Sequence, residues 1–150
     1  MIKRAPLLLF VLPLALAACE SRTGVSPGET PGDTANTEPY AGIAAEETVR
    51  FTGTEPFWGG EATGSTLTYS TPEDIDGTTI AVERFAGRNG LSLSGQLDGA
   101  TFDMAITPGE CSDGMSDRTY PFTVILQVRG EQRYGCAWTE RNRFTGPENP

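Results

Sequence analysis

The side chains of this sequence that could do chemistry fall in two stretches. The first is Gly53-Thr54-Glu55-Pro56-Phe57-Trp58-Gly59-Gly60; the second is Cys111-Ser112-Asp113-Gly114-Met115-Ser116-Asp117-Arg118-Thr119-Tyr120-Pro121. Glu55, Asp113 and Asp117 are their carboxylates. Two acids about 5–9 Å apart are the machinery of glycoside hydrolysis, and aspartate oxygens with loop carbonyls are the ligands that calcium takes. The spacing here lacks the alternating Asp/Asn series and closing Glu of an EF-hand loop. Loop aspartates also bond backbone N–H groups as turn caps. Capping is therefore the first reading of Asp113 and Asp117, a ligand or partner surface the second, a metal site the last. Glu55-Pro56 reads as extended or a turn, because proline bars the α region at the residue before it. Phe57 and Trp58 then point to opposite faces. Trp58 is either a core plug with a polar handle on its indole or an aromatic platform beside the Glu55 carboxylate.

Two absences narrow the chemistry. The chain has no histidine, and Lys3 is its only lysine. That excludes Ser-His-Asp and Cys-His catalysis, His-ligated zinc, Schiff-base lysines and Ser-Lys dyads. Catalysis would have to run on carboxylates, tyrosines or a bound metal, and no motif calls for a cofactor. The expectation is a protein that is not an enzyme.

The chain opens with Lys3 and Arg4, followed by an apolar run from Ala5 to Ala18. This is the make-up of a secretory signal peptide. A membrane span needs roughly 20 apolar residues, and the run is shorter. Leu16-Ala17-Ala18-Cys19 resembles the bacterial lipobox. The resemblance implies that residues 1–18 are removed and that Cys19 becomes the lipidated first residue. Lipoproteins of this kind carry two or three acyl chains, and stable anchoring takes at least two. In enterobacterial sorting an Asp after the cysteine favours the inner membrane; Glu20 points instead to the outer membrane, facing the periplasm.

With Cys19 committed to lipid, Cys111 and Cys136 remain, and an even pair in an oxidising compartment reads as a disulfide. It would close a loop of about 26 residues, worth roughly 3 kcal/mol in chain entropy. Free redox thiols would want a Cys-x-x-Cys spacing or a nearby base, and neither is present. Past the leader, nine arginines face twenty acids, a charge of −11. So acidic a chain disfavours nucleic acid and suits a basic partner or cations, although solubility is the plainer explanation.

These features need elements to position them. Residues 20–46 are rich in Gly, Pro, Thr, Ser and acids, so residues 19–46 are expected to form a flexible tether reaching on the order of 30 Å. Residues 142–150 read as a disordered tail. Between them, residues 47–141 form one domain of about 95 residues with a modest core. Its patterning has period two: Phe102-Asp103-Met104-Ala105-Ile106 alternates, and Tyr120, Phe122, Val124, Leu126 and Val128 share one face. Asp76-Gly77, Asn89-Gly90 and Asp98-Gly99 suit tight hairpins. No segment carries a helical apolar stripe with a cap. About seven or eight short strands predict an all-β antiparallel sandwich or small barrel with one disulfide. The barrel is preferred because closure removes exposed edges. Glu73 to Asp76 reads as a solvated turn first and as a cation site, weaker than the Asp113–Asp117 loop, second. Arg84 and Arg88, or Arg129 and Arg133, read as partners of acids across strands.

Taken with Gly135-Cys136-Ala137-Trp138, the two chemical stretches resemble an uncharacterised family of proteobacterial envelope lipoproteins. Its members show a Gly-x-Glu-Pro-Phe-Trp segment, a Cys-x-Asp-x-Met-Ser-Asp-x-x-Tyr-Pro loop and a late Gly-Cys. The resemblance implies a folded envelope domain with the 111–136 disulfide and no particular activity. The functional expectation is a membrane-anchored, non-catalytic module that binds a protein, glycan or small ligand. The alternatives are an assembly accessory of an envelope complex, an inhibitor of basic enzymes such as lysozyme, and a carboxylate hydrolase. The Ser-Gly-x-x-Tyr signature associated with membrane-bound lysozyme inhibitors is missing. The candidate binding surface lies where the loop Ser112–Tyr120 meets Glu55–Trp58: Glu55, Trp58, Asp113, Met115, Asp117 and Tyr120.

Overall fold

Period-two alternation organises residues 37–147, the part of the chain that the computed structural model describes. The expected signal peptide and lipidated Cys19, the expected tether up to residue 36 and residues 148–150 lie outside the described residues. Eight strands follow in order: β1 Val49–Thr54, β2 Phe57–Thr63, β3 Thr66–Thr71, β4 Asp74–Ala86, β5 Leu91–Leu97, β6 Ala100–Cys111, β7 Tyr120–Val128 and β8 Glu131–Thr139. Each pairs antiparallel with the next. β8 returns to β1, Thr139 opposite Val49 and Cys136 opposite Thr52, which closes a barrel. The sandwich alternative is thereby removed.

The core is the inward face of that barrel. Phe102, Met104 and Ile106 of β6 and Phe122, Val124, Leu126 and Val128 of β7 are all buried. Their outward neighbours Asp103, Ala105 and Ile125 are exposed. Each large side chain taken fully from water contributes roughly 1.5–3 kcal/mol, so the alternating rows carry the fold. An aromatic series crosses the interior. Phe51 lies 5.8 Å from Trp58, Trp58 stacks on Tyr69 at 6.2 Å, and Tyr69 meets Phe102 edge-on at 5.6 Å.

The turns follow local chemistry, with one correction. Asp98 and Gly99 (φ 53° and 79°) make the β5–β6 hairpin. Asp76-Gly77 is not a hairpin turn; it lies inside β4. Gly77 (φ 78°) sits where the β3–β4 register slips between Tyr69 and Thr71. Asp74 holds this bulge by accepting from the Gly77 N–H at 3.1 Å and the Thr78 hydroxyl at 3.0 Å. The β3–β4 turn is Pro72-Glu73 instead. Arg129-Gly130 (φ 50° and 80°) turns β7 into β8 and carries no Asn or Asp to announce it.

In an up-and-down barrel alternate turns gather at opposite ends. The β2–β3 and β4–β5 end is closed by residues expected in the tether. Ile43, 2% exposed, joins the core. The Tyr40 N–H donates to the Gly87 carbonyl at 2.7 Å, and the Arg84 guanidinium donates to the carbonyls of Ile43 and Ala44 at 2.8 and 3.1 Å. Arg84 is thus tied to backbone rather than to a cross-strand acid. The folded unit therefore begins before residue 47, because Ile43 enters the core and Tyr40 packs against it. Residues 142–147 are likewise packed, contrary to the frayed tail expected. Thr145 and Thr119 exchange backbone hydrogen bonds of 2.9 and 3.0 Å. Phe144 sits 5.5 Å from Tyr120 and 5.8 Å from Trp138, with the Arg118 guanidinium 4.5 Å above its ring.

Candidate functional site

Cys136 alternates with Ala137, whose side chain is in the core, so its sulfur faces outward. Cys111, at the end of β6, reaches it in a disulfide with Cα atoms 5.6 Å apart. The loop after Cys111 turns back beside β8, and the Thr54 hydroxyl of β1 donates to the Asp113 carbonyl at 3.0 Å. The two stretches singled out in the sequence therefore meet. Glu55, Met115, Gln132 and Tyr134 line a shallow cleft of about 430 Å³ between them. The structure does not gather all six candidates there. Trp58 is 4% exposed and belongs to the core. Tyr120 is buried against Trp138 and Phe144. Asp117 is exposed, and its backbone lies against Gly146.

Asp113 is spent on the loop itself. One carboxylate oxygen accepts from the Met115 and Ser116 N–H groups at 3.0 and 2.8 Å. The other accepts from the Ser116 hydroxyl at 2.7 Å and the Tyr120 hydroxyl at 3.1 Å. Burial alone would raise its pKa; the backbone donors of Ser116 and Met115, with the two hydroxyls, outweigh burial and hold it at about 2. A depressed folded-state pKa means the stabilisation is present above the unfolded value near 4 and is lost as pH falls towards 2. Asp113→Asn is expected to destabilise the protein by about 2 kcal/mol at pH 7. That gap should shrink steadily below pH ~4. Urea titrations of both proteins at pH 7 and near pH 2 check it; an unchanged gap would show that the charge is not what the loop uses.

A larger cavity of about 1040 Å³ occupies the barrel mouth, at the end opposite Ile43. It is framed by the β1–β2, β3–β4, β5–β6 and β7–β8 turns. Its apolar wall includes Phe57, Pro72, Leu97 and Val128, and its polar centre is Arg133 with Tyr69. Arg133 stands opposite Leu126 in the β7–β8 register, which places it on the inward face. Its side chain is 18% exposed. Nη1 donates to the Tyr69 hydroxyl at 2.7 Å and Nη2 to Glu131 at 2.9 Å, while the buried Nε–H finds no acceptor within the protein. Burial pushes the Tyr69 phenol up, more than Arg133 pulls it down, so it keeps its proton. Burial works against the Arg133 charge, but Glu131 and Tyr69 outweigh it and raise the guanidinium further. Arg129, on the same rim, is paired with Asp98.

Trp58 lies beneath this mouth rather than in its lining. A Cβ on Gly53 would fall 2.1 Å from the indole Nε1, and one on Gly135 would fall 2.8 Å from Cζ2 and 2.2 Å from the Thr52 carbonyl oxygen. Two strands thus give up side chains so that one indole can fill the space. The Arg133–Tyr69 pair was not singled out in the sequence. Its available signal was a charge on the parity of Gly135 and Ala137, the inward parity of β8. Among the described residues no three His, Cys, Asp or Glu side chains converge as a metal site. No protein-family model, curated protein or solved structure matches the chain.

Proposed function

We propose that the chain is a lipid-anchored envelope protein whose barrel binds a small ligand in its open mouth and does no chemistry on it. The observation that carries this reading is the cavity itself. Ligand sites are concave, mostly apolar, roughly 300–1,000 Å³ and supplied with a few placed polar groups. The mouth has that size, an apolar wall and one mostly buried cation. Anchoring rests on the basic and apolar leader, the Leu16-Ala17-Ala18-Cys19 segment and a disulfide of the kind kept in oxidising compartments. Membership of the lipoprotein family that the two motifs resemble belongs to the same reading. The absence of chemistry rests on the acids: Asp113 is committed to its loop, and Glu55 and Glu73 stand exposed at the mouth.

A protein partner is the second reading. It rests on Ile125 and Tyr134, paired across β7 and β8 and 47% and 66% exposed, with Met115 at 68% in the cleft that Tyr134 shares. An exposed apolar strip of this kind suits docking.

The experiment takes the wild-type protein from membranes, with Cys19→Ser and Thr71→Trp beside it. Wild type should take up a palmitate analogue and sediment with membranes, and Cys19→Ser should do neither. Native mass spectrometry after incubation with the small-molecule fraction of the envelope should show one added small-molecule mass on wild type. Thr71→Trp, which fills the mouth, should lose it. No retained mass, or equal retention by both proteins, overturns the ligand reading; an unlabelled wild type overturns the anchor.

A further inference from the structure

We propose that the ligand of the mouth bears a single carboxylate on an apolar body, with the carboxylate seated on Arg133 and Tyr69. This rests on the small-ligand reading above and specifies its chemistry. Arg133 is the mouth's one mostly buried charge; Arg129 is already bound by Asp98. Of the five guanidinium N–H groups, the hydrogen bonds to Tyr69 and Glu131 use two, and the buried Nε–H has no acceptor within the protein. The Glu131 carboxylate is 67% exposed, so water screens its hold on Arg133. The Tyr69 oxygen accepts from Arg133, which leaves its own O–H to donate. The remaining donors suit a carboxylate, which takes guanidinium bonds in pairs.

The surroundings decide against two other ligand classes. A phosphate carries more negative charge, and the exposed acids Glu55, Glu73 and Asp74 at the mouth of a strongly acidic protein repel it. An amine would meet Arg133 at the inner end of the cavity with no buried acid to receive it. Phe57, Pro72, Leu97 and Val128 supply contact for an apolar body. Phe57 is 52% exposed although it lines the mouth, so it is available to cover a ligand.

The test uses the full lipidated chain in lipid nanodiscs, with empty nanodiscs as the blank and isothermal titration as the readout. The probes are 3-phenylpropionate, 3-phenylpropan-1-ol, 3-phenylpropylamine and inorganic phosphate. The carboxylate should bind at least about tenfold more tightly than the alcohol or the amine, the factor that hydrogen bonds to a charged group supply. Phosphate should neither bind nor compete. Arg133→Gln should lose about that factor for the carboxylate and leave the alcohol unchanged, with its circular dichroism matching wild type. Phe57→Ser should weaken carboxylate and alcohol together. Equal affinity for carboxylate and alcohol overturns the carboxylate assignment while sparing the small-ligand reading, and so does preference for the amine. Failure of all four probes on folded protein overturns the assignment; the retained-mass experiment then decides the broader reading separately. Arg133→Gln binding 3-phenylpropionate as wild type does also overturns it.

Discussion

Replacing Cys111 and Cys136 together with alanine is expected to destabilise the protein by about 2–5 kcal/mol, a large share of what a small domain has. The chain-entropy part is about 3 kcal/mol for a closed loop of some 26 residues. The rest comes from what the bridge holds in place. Cys136 faces outward yet is 1% exposed, and its bond to Cys111 fixes the base of the loop that follows. That loop depends on Asp113, whose carboxylate draws in Met115, Ser116 and Tyr120. Tyr120 in turn packs on Trp138 and Phe144, and Phe144 belongs to the C-terminal segment paired at Thr119. Releasing the bridge frees the loop, then the aromatic cluster, then residues 142–147. Urea unfolding of the oxidised wild type against the double alanine variant measures the total. Amide exchange should show the first losses of protection at residues 112–119 and 144–147. A difference under about 0.5 kcal/mol, or two freely alkylating thiols in the folded wild type, would contradict it.

The strands that alternation marked are those whose inward positions hold ordinary apolar side chains. β6 and β7 read directly because Phe102, Met104, Ile106, Phe122, Val124 and Leu126 are large and their neighbours are not buried. The β5–β6 hairpin read from Asp98-Gly99, whose residue types match the positive φ they adopt. β8 hides for the opposite reason. Its inward positions carry Arg133, Gly135 and Ala137, so no apolar row appears, and Gly135 is required there by the approach of Thr52 and Trp58. A charge facing into a barrel mouth looks, in one dimension, like a charge facing water. In sequence Arg133 therefore reads as a surface partner for an acid. Single residues set the ends of the domain. Ile43 lies among small residues after Tyr40, and Phe144 is the one aromatic of a polar stretch; only their distant partners show that they are buried or packed. Of the two chemical stretches, sequence located the meeting place. It did not separate side chains facing the cleft, such as Met115, from those turned inward, such as Trp58.

Trp58→Ala is expected to cost about 3–5 kcal/mol, as for other large-to-small changes in a packed core. The indole touches Phe51 and Tyr69 and fills the volume left by Gly53 and Gly135. Neither glycine brings a side chain that could swing into the hole, so collapse is limited and the cavity term is large. Trp58→Phe should cost less, about 1–2 kcal/mol, because two effects oppose. A smaller ring loses packing, but the indole N–H, which finds no acceptor within the protein, disappears with it. The same pair separates the two roles open to Trp58 from its sequence. As a core plug beneath the mouth it touches no ligand, so Trp58→Phe should bind 3-phenylpropionate as wild type does. As an aromatic platform it would lose binding in step with its ring, whatever the stability. Trp58→Ala also removes the stack beneath Tyr69, which holds the hydroxyl at Arg133. Its binding should therefore weaken through a loosened Tyr69, and a Tyr69→Phe change in that background should add little further loss. Urea unfolding gives the stabilities and titration the affinities. A loss under about 1 kcal/mol for Trp58→Ala would mean that the interior repacks around the gap. Abolished binding in a stable Trp58→Phe would place the indole at the ligand.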